Sequence, residues 1–288
     1  MSAMVTALLL LLLTAFPVIA DPPQRVVSVN LCSDQLLLML ADPRQVASVS
    51  YLSREQESSF VVELAIDYPV NHAQIEEVIS YRPDLVVTTP YTNPRLLNTL
   101  EKLGFKTHRL TLGHSVEAIA TDIRQLAARL GQVPRGEALI RQMHQRLQLS
   151  RSTRLVGRPK ALFYQPRGYT SGIDTLQNEA LQLAGWRNPA AEQGIVGYVP
   201  VPLEQIILWQ PDTLFTSNYG ESGDSLAERQ LEHPALKRLL GHKPMLKIPY
   251  KYWICPGPML AEAVSMLDEA RGRERQTRGM HKPESPDR

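Results

Sequence analysis

The chain of 288 residues is long enough for one or two domains, and its composition, 43% apolar and 21% charged, is that of an ordinary globular protein. A formal net charge of +2, with Lys and Arg never gathered in a long block, gives no electrostatic case for binding nucleic acid. Twenty-two prolines argue against a few long helices and predict many short, punctuated elements.

The first twenty residues, MSAMVTALLLLLLTAFPVIA, carry no charge and hold six leucines in a row from Leu8 to Leu13. Pro17 interrupts the run before it reaches the ~20 apolar residues of a bilayer span. Val18-Ile19-Ala20 then precede Asp21 as the residues before a cleavage site do. Residues 1–20 therefore read as an export signal. No cysteine follows the site directly, so lipid attachment there is not expected.

From Arg25 the chain alternates strand-like and helix-like segments. RVVSV reads as a buried strand, SDQLLLMLA as a helix capped by Ser33 or Asp34, and QVASVSY as a second strand. IEEVIS, DLVVTT, PRLLNTLEKLG and KTHRL continue as helix, strand, helix and strand. Between Ser115 and Ser150 the spacing is helical throughout, broken only at Gly131 and Pro134, which leaves either one kinked helix or two in series. Alternation then resumes with the strand KALFYQ, the helices TLQNEALQLAG and LEQIILW, the strands DTLFTSN and MLKIPY, and the helix PMLAEAVSML. This order predicts two similar α/β lobes with mainly parallel sheets, joined by a long helical spine, with a ligand cleft between the lobes. The expected boundaries are 21–113 for the first lobe, 114–159 for the spine, 160–270 for the second lobe, and 271–288 for a disordered tail.

One sentence is written twice. IEEVISYRPDLVVTTPY at Ile75–Tyr91 and LEQIILWQPDTLFTSNY at Leu203–Tyr219 align without a gap, 128 positions apart, with six of seventeen residues identical. In each copy a proline ends a helix and an aspartate leads into a strand. Each also begins with a glutamate, Glu76 or Glu204, off the apolar stripe of its helix.

Ligands of parallel α/β sheets sit beyond the carboxyl ends of the strands. Those ends carry Asn30-Leu31-Cys32, Tyr51, Tyr91, Gly113-His114, the loop PRGYTSG, Tyr219 and Tyr252-Trp253-Ile254-Cys255. The candidate wall residues are Tyr51, Tyr91, Arg167, Tyr169, Tyr219, Tyr252 and Trp253, a set suited to a large, partly flat ligand with polar edges. Arg167 suits an anionic ligand edge or, equally, a neighbouring acid. Cys32 and Cys255 are the only cysteines, and two unpaired thiols are expected, because a bridge across a cleft would forbid its opening. No histidine pair has metal-site spacing, and no nucleophile elbow, zinc-protease helix or phosphate loop occurs. The chain is accordingly expected to be neither an enzyme nor the holder of an intrinsic cofactor or free metal. A secreted α/β enzyme and a scaffold without a small ligand are the readings from other classes.

The export signal, the two lobes, the long connector and the doubled E-x-x-[VI]-x-x-x-x-P-D segment together resemble the class III periplasmic binding proteins. These are the substrate-binding components of ABC importers for cobalamin, ferric siderophores and haem. The likeness runs from Arg25 to about Ala270, and YTSGIDTLQNEALQLAG is similar to the segment opening the second lobe of the cobalamin binders. The resemblance implies a monomer that captures an iron or cobalt chelate, with a ferric siderophore slightly ahead of cobalamin and haem. It also implies a permease dimer with ATPase subunits as partner, docked through Glu76 and Glu204. Cobalamin binders carry an acid and a base near the last strand end, whereas YKYWICPGPM here offers Lys251 and Cys255. Haem binders present an axial Tyr or His, for which several tyrosines, His72 and His114 are available.

Overall fold

The structure is a computed structural model, and it describes residues 21–150, 158–217, 231, 233–241 and 245–280. The segment read as an export signal, Tyr219 and residues 281–288 lie outside the described residues.

The first lobe is a five-stranded, all-parallel sheet. Its strands are β1 (Val26–Ser28), β2 (Val46–Ser50), β3 (Val70–Asn71), β4 (Leu85–Thr88) and β5 (Thr107–Arg109), in the order β3-β2-β1-β4-β5. Its helices are α1 (Leu31–Leu40), α2 (Val62–Ala65), α3 (Ile75–Ser80) and α4 (Pro94–Lys102). Every residue of β1 and β4 is buried, as expected of central strands covered on both faces. Helix α1 begins two residues earlier than the sequence suggests. Its cap is Asn30, whose side chain accepts the Cys32 N–H, rather than Ser33 or Asp34. Asp34 is instead drawn inward. It accepts the Ser50 N–H at 3.0 Å and also the Ser50 hydroxyl, and so ties the end of β2 to α1.

The second lobe contains β6 (Ala161–Phe163), β7 (Tyr169–Ser171), α7 (Leu176–Leu183), α8 (Pro189–Glu192), β8 (Tyr198–Pro200), α9 (Leu203–Trp209), β9 (Thr213–Thr216), α10 (Pro234–Leu239) and β10 (Leu246–Lys247). A parallel sheet of order β10-β9-β6 is accompanied by an antiparallel pair, β7-β8. The final helix, α11 (Leu260–Met280), continues ten residues past Ala270, into the stretch read from sequence as tail. That stretch, RGRERQTRGM, is rich in good helix formers. Arg271, 5% exposed and paired with Asp268, anchors its first turn.

Between the lobes lie α5 (Val116–Arg129) and α6 (Val133–Ser150). They do not form a continuous rod. Gly131 adopts φ +72, and the chain doubles back so closely that a Cβ on Gly136 would meet the Ala127 Cβ at 2.5 Å. Arg124 and Glu137 pair across this hairpin at 2.8 Å. Helix α5 covers α1 of the first lobe, whereas α6 packs on α11 and joins it through the Arg146–Glu262 ion pair. One apolar cluster runs without a break from Leu36 and Leu40 through Ile140 and Met143 to Trp186, Val264 and Leu267. The Trp186 indole N–H donates to the Leu267 carbonyl at 2.9 Å. The lobes therefore share a core.

The doubled sentence is a doubled piece of structure. Arg82 and Gln210, each preceding the repeated proline, adopt φ +48 and +49. Asp84 then accepts the Arg25 N–H and gives its own N–H to the Arg25 carbonyl, both at 3.0 Å. Asp212 does the same with Lys160, at 2.7 and 2.9 Å. Each aspartate thus clamps the start of the neighbouring strand, β1 or β6, onto β4 or β9.

Candidate functional site

The two lobes face each other across a cavity of about 300 Å³ at the carboxyl ends of their strands. The first lobe contributes Tyr91, just past β4, with Leu112 and His114 from the loop leading into α5. The second contributes Leu176 and Gln177 from the start of α7, and Tyr198 from β8. Its remaining wall is the turn after β10, with Tyr250, Trp253, Ile254 and Pro256.

Local structure fixes each of these groups. Thr89 and Thr92 hydrogen-bond one another across the turn that projects Tyr91, which is 76% exposed. The Tyr198 hydroxyl donates to Gln177 Oε1 at 2.5 Å, joining β8 to α7. Trp253 is 2% exposed and meets the Phe163 ring edge-on, with centroids 4.4 Å apart. Its indole N–H is buried with no acceptor among the described residues. Burial pushes the Tyr250 phenol above its ordinary pKa, so it stays a neutral hydroxyl at physiological pH. Among the described lining residues there is no Lys, Arg, Asp or Glu. The cavity offers aromatic faces and neutral hydrogen-bonding edges.

The floor is cross-linked. Cys32, at the start of α1, and Cys255, in the turn before α11, form a disulfide. This corrects the expectation of two free thiols. That expectation set the cysteines on opposing walls that must part, whereas they meet at the buried base, with Cys32 8% and Cys255 0% exposed. Nearby, Phe60 of the first lobe packs edge-on against Tyr252 of the second at 5.9 Å. Opposite, the His114 imidazole Nδ1 lies 3.3 Å from Asp174 Oδ1.

Of the wall residues named from sequence, Tyr91 and Trp253 line this cavity. Tyr252 lies beside it against Phe60. Tyr51 turns away to stack on His72 at 5.0 Å, and His72 in turn pairs with Glu77. Arg167 is exposed at φ +64 in the tight loop before β7, and Tyr169 is 41% exposed on that strand. Neither touches the cavity. Tyr198 and Tyr250 were not singled out from the sequence. Tyr198 follows no recognisable strand end, since β8 is a three-residue strand. Tyr250 sits in MLKIPYKYW two positions before the candidate Tyr252. Glu76 and Glu204 are both exposed, each the second residue of its helix, α3 or α9.

Residues 26–240 match a family model described as periplasmic binding protein. The vitamin B12-binding protein of Vibrio campbellii is 28% identical over 220 residues, 75% of this chain and 78% of that one. The cobalamin-binding protein of Halobacterium salinarum is 23% identical over 71% of this chain and 56% of its own. Among solved structures, the periplasmic heme-binding protein RhuT of Roseiflexus superposes with a TM-score of 0.74 at 24% identity, covering 87% of this chain and 98% of that one. The periplasmic vitamin B12-binding protein BtuF of Vibrio cholerae superposes at 0.65 with 22% identity, covering 88% and 99%.

Proposed function

The chain belongs to the periplasmic binding protein family, and from that premise we propose that it captures a cobalamin-like corrinoid between its lobes and delivers it to an ABC importer. The observation that carries the choice of ligand is the tyrosine- and tryptophan-lined cavity without a charged carboxylate, ammonium or guanidinium among its described lining residues. A broad macrocycle edged with neutral amides fits such walls, because aromatic faces cover the ring while hydroxyl and amide groups meet its edge. An anionic ferric siderophore calls for cations that the described lining lacks. The names of the curated relatives favour the same ligand.

Haem is the second reading, and Tyr91 favours it: an exposed phenol in the cavity wall is a hard oxygen donor for ferric iron. In either case the chain binds and releases its ligand without changing it, so it is not an enzyme. It works in the periplasm after export.

The partner on this reading is a permease dimer with ATPase subunits. Glu76 and Glu204 present one exposed carboxylate per lobe in equivalent positions, a two-point mark that matching basic residues on two permease subunits can read. The helix dipole alone favours an acid at each helix start. It does not require the same register in both lobes.

Titration calorimetry of the mature protein with cyanocobalamin, hemin and a ferric siderophore tests the ligand. Saturable one-site binding of the corrinoid, recovered unchanged, is expected. Binding of hemin alone would select the second reading, and heat from none of the three would sink the ligand class.

A further inference from the structure

The cleft cavity, about 300 Å³, is at the lower end of ligand-binding cavities. Beside it lies a second cavity of about 800 Å³, wider open to solvent, between the start of α5 and helices α7 and α8. His114 is the one residue common to the described linings of both. Its imidazole closes against Asp174, which belongs to the lining of the larger cavity, across the junction between the lobes.

The loops on either side of this contact are closely packed, whereas the contact itself is open to solvent. A Cβ on Gly113 would stand 2.5 Å from the Ala118 Cβ, and one on Gly172 would stand 2.1 Å from the Ile195 carbonyl oxygen, so both flanking loops are packed flush. Ser115 caps α5 immediately after His114 by accepting the Ala118 N–H. Asp174 is held in the left-handed region at φ +60. Yet the two side chains are 29% and 73% exposed, and a side-chain contact so open to solvent is weak. Side-chain rotation on a fixed backbone is enough to part them.

We propose that the His114–Asp174 pair is a movable partition, and that it sets the size of ligand the protein accepts. The ring of the ligand lies in the cleft. A polar appendage of the same molecule enters the larger chamber when the pair parts. The chamber suits such a tail: Asn178 and Gln182 supply donors and acceptors, and Arg158 and Glu179 supply charges of both signs. It is not lined for a second apolar ring. This inference rests on the corrinoid reading above.

The experiment compares two probes on the mature protein: cyanocobalamin, which carries a nucleotide tail, and dicyanocobinamide, the same ring without it. Dissociation constants are measured for the wild type, His114→Ala, His114→Phe and Asp174→Ala, with thermal melts to show that each is folded. Removing the partition should move the cobinamide-to-cobalamin ratio of dissociation constants about tenfold in favour of the tailed ligand in His114→Ala. Asp174→Ala should move it the same way. The bulkier His114→Phe should move it in the opposite direction. A ratio that stays within about twofold across all variants, while both probes bind, would overturn the partition and leave the corrinoid reading standing. Equal weakening of both probes in His114→Ala would make the imidazole an ordinary wall contact. Failure of the wild type to bind either probe would remove the corrinoid reading and the partition together.

Discussion

Replacing both Cys32 and Cys255 by serine removes a cross-link between residues 223 apart in sequence. In the chain-entropy account, closing a loop of that length in the unfolded state is worth about 5 kcal/mol at 25 °C. Native contacts add little to the difference, because serine is close in size to half-cystine and the shared core around α6 and α11 stays in place. With a urea slope of about 1–3 kcal/mol per molar, the unfolding midpoint of the double variant should fall by ~1.5 M or more. Reduction of the wild type should lower it by a similar amount. The same staple holds the floor of the cleft, so scattering curves with and without ligand should show only a small compaction. Thiol titration of the native protein comes first: two reactive thiols before any reductant is added would refute the bridge. An unchanged urea midpoint in the double variant would refute its contribution to stability.

Charge reversal at Glu76→Lys plus Glu204→Lys should abolish uptake in whole cells while ligand affinity in solution stays near that of the wild type; surviving uptake would reduce the glutamates to helix starts. Desolvation raises the buried Asp34 carboxyl from 3.8 to about 7, so the folded state holds a proton that the unfolded state releases between those values. Its contribution to stability is therefore complete below pH 4 and lost as pH rises towards 7. Asp34→Asn should remove that loss, so its urea midpoint relative to the wild type should improve between pH 4.5 and 7.5; a constant difference would contradict the raised pKa. Asp84→Ala and Asp212→Ala should each destabilise by ~1–3 kcal/mol, since each leaves a strand-starting N–H without its acceptor. If only one of the two mattered, the clamps would not be equivalent.

Much of the fold was legible because the signals were local. Period and punctuation marked the longer strands and helices but not the short β3, β7, β8, α2, α8 and α10, and the repeated proline and aspartate marked equivalent elements. The sequence could not show that Asp84 and Asp212 reach across to β1 and β6, yet the repeat already implied that they do the same thing. The hairpin of α5 and α6 was hidden for a physical reason. A helical break at Gly131 looks the same in sequence whether the chain continues or reverses, and only the packing of Gly136 on Ala127 decides it. The disulfide was unreadable because its partners are remote in sequence, and the argument against it assumed that both sat on moving walls.

The cavity was legible only in part. Strand ends pointed to Tyr91 and Trp253. Which way a side chain at a strand end turns depends on its neighbours, and Tyr51 turns onto His72. Tyr198 entered from an antiparallel pair that no periodicity announced.

Hydrogen exchange of the mature protein with and without cyanocobalamin tests most directly that the ligand sits between the lobes. Protection is predicted on both sides of the cleft at once, at 89–92 and 112–115 in the first lobe and at 176–178, 198 and 250–256 in the second. Protection confined to one lobe, or appearing only on the outer helices α3 and α9 while the ligand is bound, would contradict the account.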